Sequence, residues 1–370
     1  MTSSEHSHGQ STSPRGSHKE SFDEQMRNHQ VAWRTIPGNH VCLELGSQNG
    51  LTRPWILLGD KWEQSLWPGI RTGSPNSLPR YLAKNRIQPH QGKHNLNSSW
   101  VQCANLYFPF GATPEGKELL SGFLREHISP DVQTVDELHL EYEEKDEDLK
   151  PARLLGEPGG MRGSGQTSPD LAFHVNGRTG LILIENKFTE HSFYGCSARR
   201  TTDSESRPGN PDPTRCLNLA AVLADPQSRC HQCHLKWGRK YWDILRSVAN
   251  TDALTRLKCC PAAHAGYQLF RQQALAQGIA NSKYDQVFSC VALDARNETL
   301  RTCLSTTGLP DLETGWSSLF NNGSKVRFKV FTHQAWCAYV ATHSTSSVWQ
   351  PWLDYVTTRY GYKPITNRLT

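Results

Sequence analysis

Long apolar runs are missing from this sequence: nowhere do eighteen apolar residues follow one another, which excludes a membrane-spanning helix. No charged segment followed by an apolar stretch opens the chain, so we expect no secretory signal peptide and a cytoplasmic protein without membrane contact. Charge of one sign is not in large excess either, with 40 Lys and Arg against 35 Asp and Glu. This mildly basic balance permits a polyanionic partner without requiring one.

Cysteine is abundant instead. The eleven cysteines are an odd number in a chain without a secretion signal, which disfavours a complete disulfide framework. Cys230 and Cys233 form a C-x-x-C pair, the spacing that lets two thiolates share one metal. With Cys196 and Cys216 they are predicted to hold a structural Zn²⁺ or a [4Fe–4S] cluster. Two alternatives stay open: unliganded buried thiols, or competing ligands among His231, His234, Cys259 and Cys260.

The composition shifts along the chain and predicts four segments. Residues 1–30 have almost no apolar content and are expected to form a disordered tail. Tryptophan, proline and glycine dominate the next stretch without a clear period. The predicted segments are the tail, an irregular N-terminal extension over 31–96, a main domain over 97–345 with a Cys-rich insert at 195–240, and a C-terminal extension over 346–370.

Periodicity and turn signals predict an α/β fold for the main domain. Capping patterns indicate helix starts near Ser99 and near Thr113, and Asn176-Gly177 is a strong hairpin signal. Strands are predicted at 135–142, 169–175, 181–188, 287–293 and 326–331, and helices at 237–248, 267–279 and 335–341, the last capped by Thr332. The resulting order, helix, strand, strand, strand, helices, strand, predicts a mixed sheet with helices on both faces.

The hairpin geometry brings three charged side chains together. In either register that the Asn-Gly turn allows, paired residue numbers have an odd sum. Asp170, Glu185 and Lys187 therefore share one face of neighbouring strands. The strand at 181–184 is apolar on both sides and should be central and buried. Charges at the end of a buried strand are costly unless they are paired or used.

These residue types suit phosphodiester hydrolysis. Asp170 and Glu185 offer hard oxygen ligands for Mg²⁺, and the carbonyl of Asn186 could add a further ligand. Such an ion polarises the scissile phosphate and lowers the pKa of a bound water. Lys187 can orient that water and offset the charge that develops on the phosphate.

Pro169-Asp170, fourteen intervening residues and then Glu185-Asn186-Lys187 on an apolar strand resemble the PD-(D/E)XK nuclease superfamily. The resemblance covers residues 97–345. Ser98-Ser99, the Cys-containing insert and the Arg239 to Trp242 segment also resemble a bacterial group of uncharacterised restriction-endonuclease-like proteins.

The resemblance implies a restriction-endonuclease-like αβββαβ core and a deoxyribonuclease dependent on Mg²⁺ or Mn²⁺. Asp170 and Glu185 would be metal ligands and Lys187 the catalytic lysine. The superfamily often adds an acid from the first core helix. Glu118 and Glu126 are candidates if that helix is 114–127, whereas Gln102 stands in the place of the acid if it is 99–110.

Acidic and basic clusters outside the proposed site could bind a partner or could simply be charged, solvated surface. Residues 131–148 carry nine acids against one lysine, and we interpret them as a solvated edge strand and loop. Four basic residues of 188–240 could contact DNA phosphates, or form a solvated basic face: Arg199, Arg200, Arg239 and Lys240. Helix residues Gln268, Gln272 and Gln273 could reach bases or phosphates. The rival to a nuclease is a non-catalytic nucleic-acid-binding or scaffold module of the same fold.

Overall fold

The computed structural model describes residues 20–163, 165–203, 207–233 and 237–363. Its centre is a five-stranded sheet, and a two-stranded hairpin lies near the N-terminal end. The hairpin strands are β1 (Ser47–Gln48) and β2 (Leu51–Thr52); the sheet strands are β3 (Val135–Leu140), β4 (Leu171–Val175), β5 (Gly180–Lys187), β6 (Gln286–Leu293) and β7 (Val326–Thr332).

Helices precede the sheet, connect its strands and follow it. The longer ones are α1 (Phe22–Arg34), α3 (Ser99–Tyr107), α4 (Pro114–His127), α10 (Tyr267–Ala280), α12 (Leu312–Leu319), α13 (His333–His343) and α14 (Gln350–Tyr360). The shorter ones are α2 (Leu78–Lys84), α5 (Pro151–Leu154), α6 (Leu219–Ala224), α7 (Pro226–Arg229), α8 (Tyr241–Leu245), α9 (Thr251–Thr255) and α11 (Glu298–Arg301).

The sheet is mixed, with strand order β3-β4-β5-β6-β7. The pairs β3/β4 and β4/β5 are antiparallel, whereas β5/β6 and β6/β7 are parallel. Two apolar clusters cover its faces, one containing residues of α10 and α12 and the other residues of α3, α4, α13 and α14. The predicted α/β class, with a mixed sheet between helices, is confirmed.

Strand β5 is buried along its whole length because helices cover both faces of the sheet. Leu181 and Leu183 pack on the α10 side, whereas Ile182 and Ile184 pack on the side of α3 and α4. A strand with two buried faces is apolar in both alternating sets of side chains. The prediction of a central, buried strand at 181–184 is therefore confirmed.

The hairpin between β4 and β5 has the second of the two predicted registers. Val175 pairs with Gly180, and Leu171 pairs with Ile184. The turn has four residues rather than two. Asn176, Gly177 and Arg178 have φ angles of 56°, 66° and 68°, a left-handed conformation that asparagine and glycine tolerate better than other residues.

Both ends of the described part of the chain, from residue 20 and up to residue 363, are more regular than the sequence suggested. The predicted tail is wrong for residues 22–30, which belong to α1, while residues 1–19 lie outside the described part. Ser21 caps α1 through a capping box with Glu24. At the other end, α14 buries Trp352 and Val356 in the cluster on the α3 side of the sheet.

Helix boundaries differ from prediction in three further places. Ser98 rather than Ser99 caps α3, and the helix predicted at 237–248 is reduced to the short α8 followed by a single 3₁₀ turn. The helix capped by Thr332 was predicted at 335–341 as the last one, but it is α13 (His333–His343) and is followed by α14. Thr113 caps α4 as predicted.

Candidate active site

Asp170 and Glu185 lie on the same face of the sheet and line one cleft of about 650 Å³. Asp170 stands directly before β4, and Glu185 lies in β5. Because Leu171 pairs with Ile184, the next positions in this antiparallel register are Asp170 and Glu185. The backbone N–H of Asn186 donates to Asp170 Oδ2 over 2.8 Å and fixes this carboxylate against β5.

Lys187 reaches the same site from β5, two residues beyond Glu185. Its Nζ lies 2.8 Å from Glu185 Oε1, and the two side chains are only 4% and 9% exposed. Burial acts to lower the pKa of Lys187, but the carboxylates of Glu185, Glu190 and Asp170 outweigh burial and raise it. Lys187 is therefore a charged ammonium group held inside the protein.

A third acid, Glu141, lines the cleft and was not predicted. It follows β3, where Leu140 pairs with Leu171, so the next position along this register faces Asp170. The backbone N–H of Glu141 donates to the Asp170 carbonyl over 3.0 Å, and its φ of 48° turns the chain at the end of β3. The side chain is 5% exposed.

The carboxyl groups of this site have perturbed protonation. Burial raises the pKa of Glu141 to about 7, with a further contribution from the Glu185 carboxylate. Burial also raises the pKa of Asp170, and Glu185 and Glu141 add to that effect, whereas Lys187 opposes it. Three buried carboxyl groups with a single ammonium lack positive charge. Carboxylate oxygens are the donors that Mg²⁺ prefers, but in the described residues the three carboxylates do not all lie within 4.8 Å of one another, so a shared ion would require them to move together.

The acid expected from the first core helix does not lie in the cleft. Glu118 and Glu126 are exposed on α4. Gln102 lies near the N-terminal end of α3, where its Oε1 accepts a hydrogen bond from Asn186 Nδ2 over 3.1 Å. Its Nε2 donates to the hydroxyl of Tyr362 over 2.6 Å. Gln102 thus anchors β5 to α3, and Glu141 rather than α3 or α4 supplies the additional carboxylate.

Helix α10 contributes amide groups to the cleft. Gln268 and Gln272 line it, and the buried Oε1 atoms of both have no hydrogen-bond partner among the described residues. Gln272 Nε2 donates to Ser289 Oγ over 3.1 Å, which fixes that side chain against β6. Gln273 is buried and lines a different cleft, beside α12.

Three of the four predicted cysteine ligands line one small pocket: Cys196, Cys216 and Cys230. Cys260 also lines it, and Cys233 forms a hydrogen bond with Cys230 that lowers the pKa of the latter to about 7. In the described part of the chain, however, no three of these sulfurs lie within 4.8 Å of one another. The zinc or iron–sulfur site stays a prediction, and His234 lies outside the described residues.

The four predicted phosphate contacts separate into exposed and internal residues. Arg239 is buried and donates to the carbonyls of Gly156 and Trp237, so it is withdrawn from the set. Arg199 is half-buried, with its guanidinium 2.9 Å from His264 Nδ1. Arg200 and Lys240 are exposed. Of the four predicted phosphate contacts, only Arg200 and Lys240 are therefore exposed enough to meet a DNA phosphate at the surface.

Comparison with known proteins identifies a family for this chain. In residues 20–163, 165–203, 207–233 and 237–363, no helix is long and apolar enough to cross a membrane. No curated protein and no solved structure matches the chain. A family model described as "Restriction Endonuclease associating with ARP" matches residues 27–361, which is most of the sequence. The chain therefore belongs to this restriction-endonuclease family, REase-ARP.

Proposed function

We propose that this protein is a Mg²⁺-dependent deoxyribonuclease of the PD-(D/E)XK type. The observation that carries the proposal is the grouping of Asp170, Glu185 and Glu141 in one cleft with the buried ammonium of Lys187. A structural ion pair would need one carboxylate for one lysine. Two further buried acids are a cost to stability that a role in metal binding explains.

The carboxylates of Asp170, Glu185 and Glu141 would hold Mg²⁺ or Mn²⁺, with the carbonyl of Asn186 as a possible further donor. When bound, such an ion supplies a water of lowered pKa and polarises the scissile phosphate. The oxygen ligands come from β5 and from the ends next to β3 and β4, elements that the sheet hydrogen bonds hold rigidly. Rigid placement is what a preorganised site requires.

Lys187 has the second role. Its ammonium stays protonated because the surrounding carboxylates raise its pKa, and Glu185 fixes its position through the 2.8 Å contact. A fixed positive charge beside the scissile phosphate can orient the attacking water and stabilise the negative charge of the transition state.

DNA is the proposed substrate because the family is one of restriction endonucleases. Arg200 and Lys240 are exposed and can contribute phosphate contacts, which add affinity without reading sequence. Gln268 has an unpaired buried oxygen in the cleft wall and can accept a hydrogen bond from a nucleotide.

The test compares wild type with Lys187→Ala, and with Lys325→Ala as the matched control. Lys325 is an exposed lysine that does not line the cleft. Wild type and Lys325→Ala should cleave linear or circular DNA with Mg²⁺ or Mn²⁺, whereas Lys187→Ala should be slower by about 100-fold or more. DNA affinity should change little, since one phosphate contact alters the salt slope by about one unit. If wild type binds DNA but cuts no form of it with either ion, the non-catalytic module is the correct interpretation.

A further inference from the structure

A second group of metal-ligating side chains lies on the same sheet face, outside the proposed nuclease cleft. It consists of Glu137 and His139 in β3 and His174 in β4. Glu137 pairs directly with His174, four residues along the strand from Glu141 and Asp170. At ~3.4 Å per residue, this pair is about 14 Å from Glu141 and Asp170 along the strands, whereas His139 is two residues, or about 7 Å, from Glu141.

The strand geometry explains why the three side chains converge. Glu137 and His139 are two residues apart and so point to the same face, and His174 lies opposite Glu137 and diagonal to His139. The register shifts between Val135 and Glu137, an irregularity of the kind that re-aims side chains at a sheet edge.

The donor atoms meet at one point. His139 Nε2 lies 3.1 Å from Glu137 Oε2 and 3.1 Å from His174 Nδ1, and the last two atoms are 3.7 Å apart. A neutral imidazole has a single N–H, so one proton at His139 Nε2 would have to serve two acceptors at once. A cation in the place of this proton could accept one lone pair from each of three atoms: His139 Nε2, His174 Nδ1 and Glu137 Oε2.

Neighbouring residues fix the orientation of His174. Tyr284 donates its only hydroxyl proton to Glu144 Oε2 over 2.8 Å. Tyr284 must therefore accept from His174 Nε2, 3.1 Å away, and this leaves the lone pair of His174 on Nδ1, directed at the cluster. Outer hydrogen bonds of this kind set the tautomer of metal-binding histidines.

Glu137 is held in a similar way, since its Oε1 accepts from Arg178 while Oε2 faces the imidazoles. Burial lowers the pKa of both imidazoles.

One side of the group is open. The side chains of His174, His139 and Glu137 are 10%, 19% and 35% exposed. Both histidines line a cleft of about 1190 Å³ that shares no residue with the nuclease cleft. Three protein ligands with open positions are typical of metal sites that bind water or another small ligand.

We propose that Glu137, His139 and His174 form a site for a borderline divalent cation of the Zn²⁺ class, distinct from the Mg²⁺ site and open to this second cleft. Imidazole nitrogen favours Zn²⁺ and Co²⁺ over Mg²⁺. Glu144, Lys283 and Arg178 surround the ligands without replacing them.

The test is a titration of the full chain with Zn²⁺ by calorimetry and with Co²⁺ by visible absorption. Wild type should bind Co²⁺ with d–d bands that lack a thiolate charge-transfer band, because nitrogen and oxygen ligate it. His139→Ala and His174→Ala should lose these bands, and Tyr284→Phe should weaken Zn²⁺ binding by about 10–100-fold. His343→Ala, which removes an exposed histidine of α13, should match wild type.

Glu137→Gln keeps the shape of the side chain and serves if an alanine variant fails to fold; it should also weaken binding. Mg²⁺ should not compete with Zn²⁺ at this site. Zn²⁺ binding of wild-type strength in Glu137→Gln and in the folded histidine variants would overturn the proposal. A Co²⁺ spectrum consisting only of thiolate charge transfer would also overturn it and assign the metal to the cysteines.

Discussion

Replacement of Glu141 by glutamine should stabilise the metal-free protein, although it removes a native side chain from the core. Burial beside Glu185 raises the folded-state pKa of Glu141 to about 7, against 4.5 for an unperturbed glutamate. An acid with a raised folded pKa stabilises the fold most at low pH, and this contribution is lost as pH rises from about 4.5 to about 7. From these two pKa values, ionisation of Glu141 lowers the free energy of unfolding by about 3 kcal/mol at pH 8 and by less than about 1 kcal/mol at pH 5.

The assay is urea unfolding in EDTA at pH 8 and at pH 5. Glu141→Gln should raise the free energy of unfolding by up to about 3 kcal/mol at pH 8 and by much less at pH 5. The control Glu118→Gln changes an exposed acid and should match wild type at both pH values. An equal or lower stability of Glu141→Gln at pH 8 would refute the conclusion that Glu141 is held in an unfavourable ionised state.

The same variant tests the metal assignment. Mg²⁺ should stabilise wild type as RT ln(1 + [Mg²⁺]/Kd), because a ligand of the folded state alone shifts the unfolding equilibrium. Glu141→Gln should gain less, since it lacks one of the three carboxylates. An equal gain in both proteins would show that the ion binds elsewhere.

Three further predictions follow from individual side chains. Asp170→Ala should bind DNA at least as well as wild type in metal-free buffer, since it removes negative charge that repels phosphate; filter binding measures this. Replacing Arg200 and Lys240 together should make the salt dependence of log K shallower by about 2 units, whereas Arg239→Ala should leave it unchanged and destabilise the fold. Burial lowers the pKa of His333 to about 4. Between pH 6.5 and pH 5 the unfolded chain takes up a proton at this residue that the folded protein does not, so the free energy of unfolding should fall by about 2 kcal/mol by pH 5. His333→Gln, which has no imidazole, should not show this fall.

The central sheet and the shared face of the three candidate site residues could be predicted because alternation along strands is a local property. Apolar residues at 181–184 required two covered faces, and the odd sum of paired residue numbers placed Asp170, Glu185 and Lys187 together in either register. Neither conclusion depended on how distant parts of the chain pack.

Glu141 was missed although a usable signal was present. It lies at the end of the strand predicted at 135–142, but eight other acids between 131 and 148 made it appear to be part of a solvated edge. Only the β3/β4 register, which the sequence leaves open, shows that Glu141 alone meets Asp170. The family resemblance also directed attention to Glu118 and Glu126 in α4.

Tertiary packing explains the other differences. Arg239 is charged, yet the backbone carbonyl of Gly156, distant in sequence, and that of nearby Trp237 accept hydrogen bonds from it inside the fold. In α1, the capping box at Ser21 and Glu24 was readable, but the polar composition around it favoured a tail. Helix α14 owes its place to Trp352 and Val356 in a core that includes residues more than 200 positions away, such as Leu106 and Leu120.

The most direct test of the central claim is a cleavage time course of plasmid DNA by wild type and Asp170→Asn in Mg²⁺ and in EDTA. Asparagine preserves the size of the side chain and removes the charge that would hold the ion. Our account predicts cleavage by wild type that requires Mg²⁺ and is absent in Asp170→Asn, with DNA binding retained by both. Cleavage by Asp170→Asn at the wild-type rate would contradict the assignment of this cleft as the nuclease site.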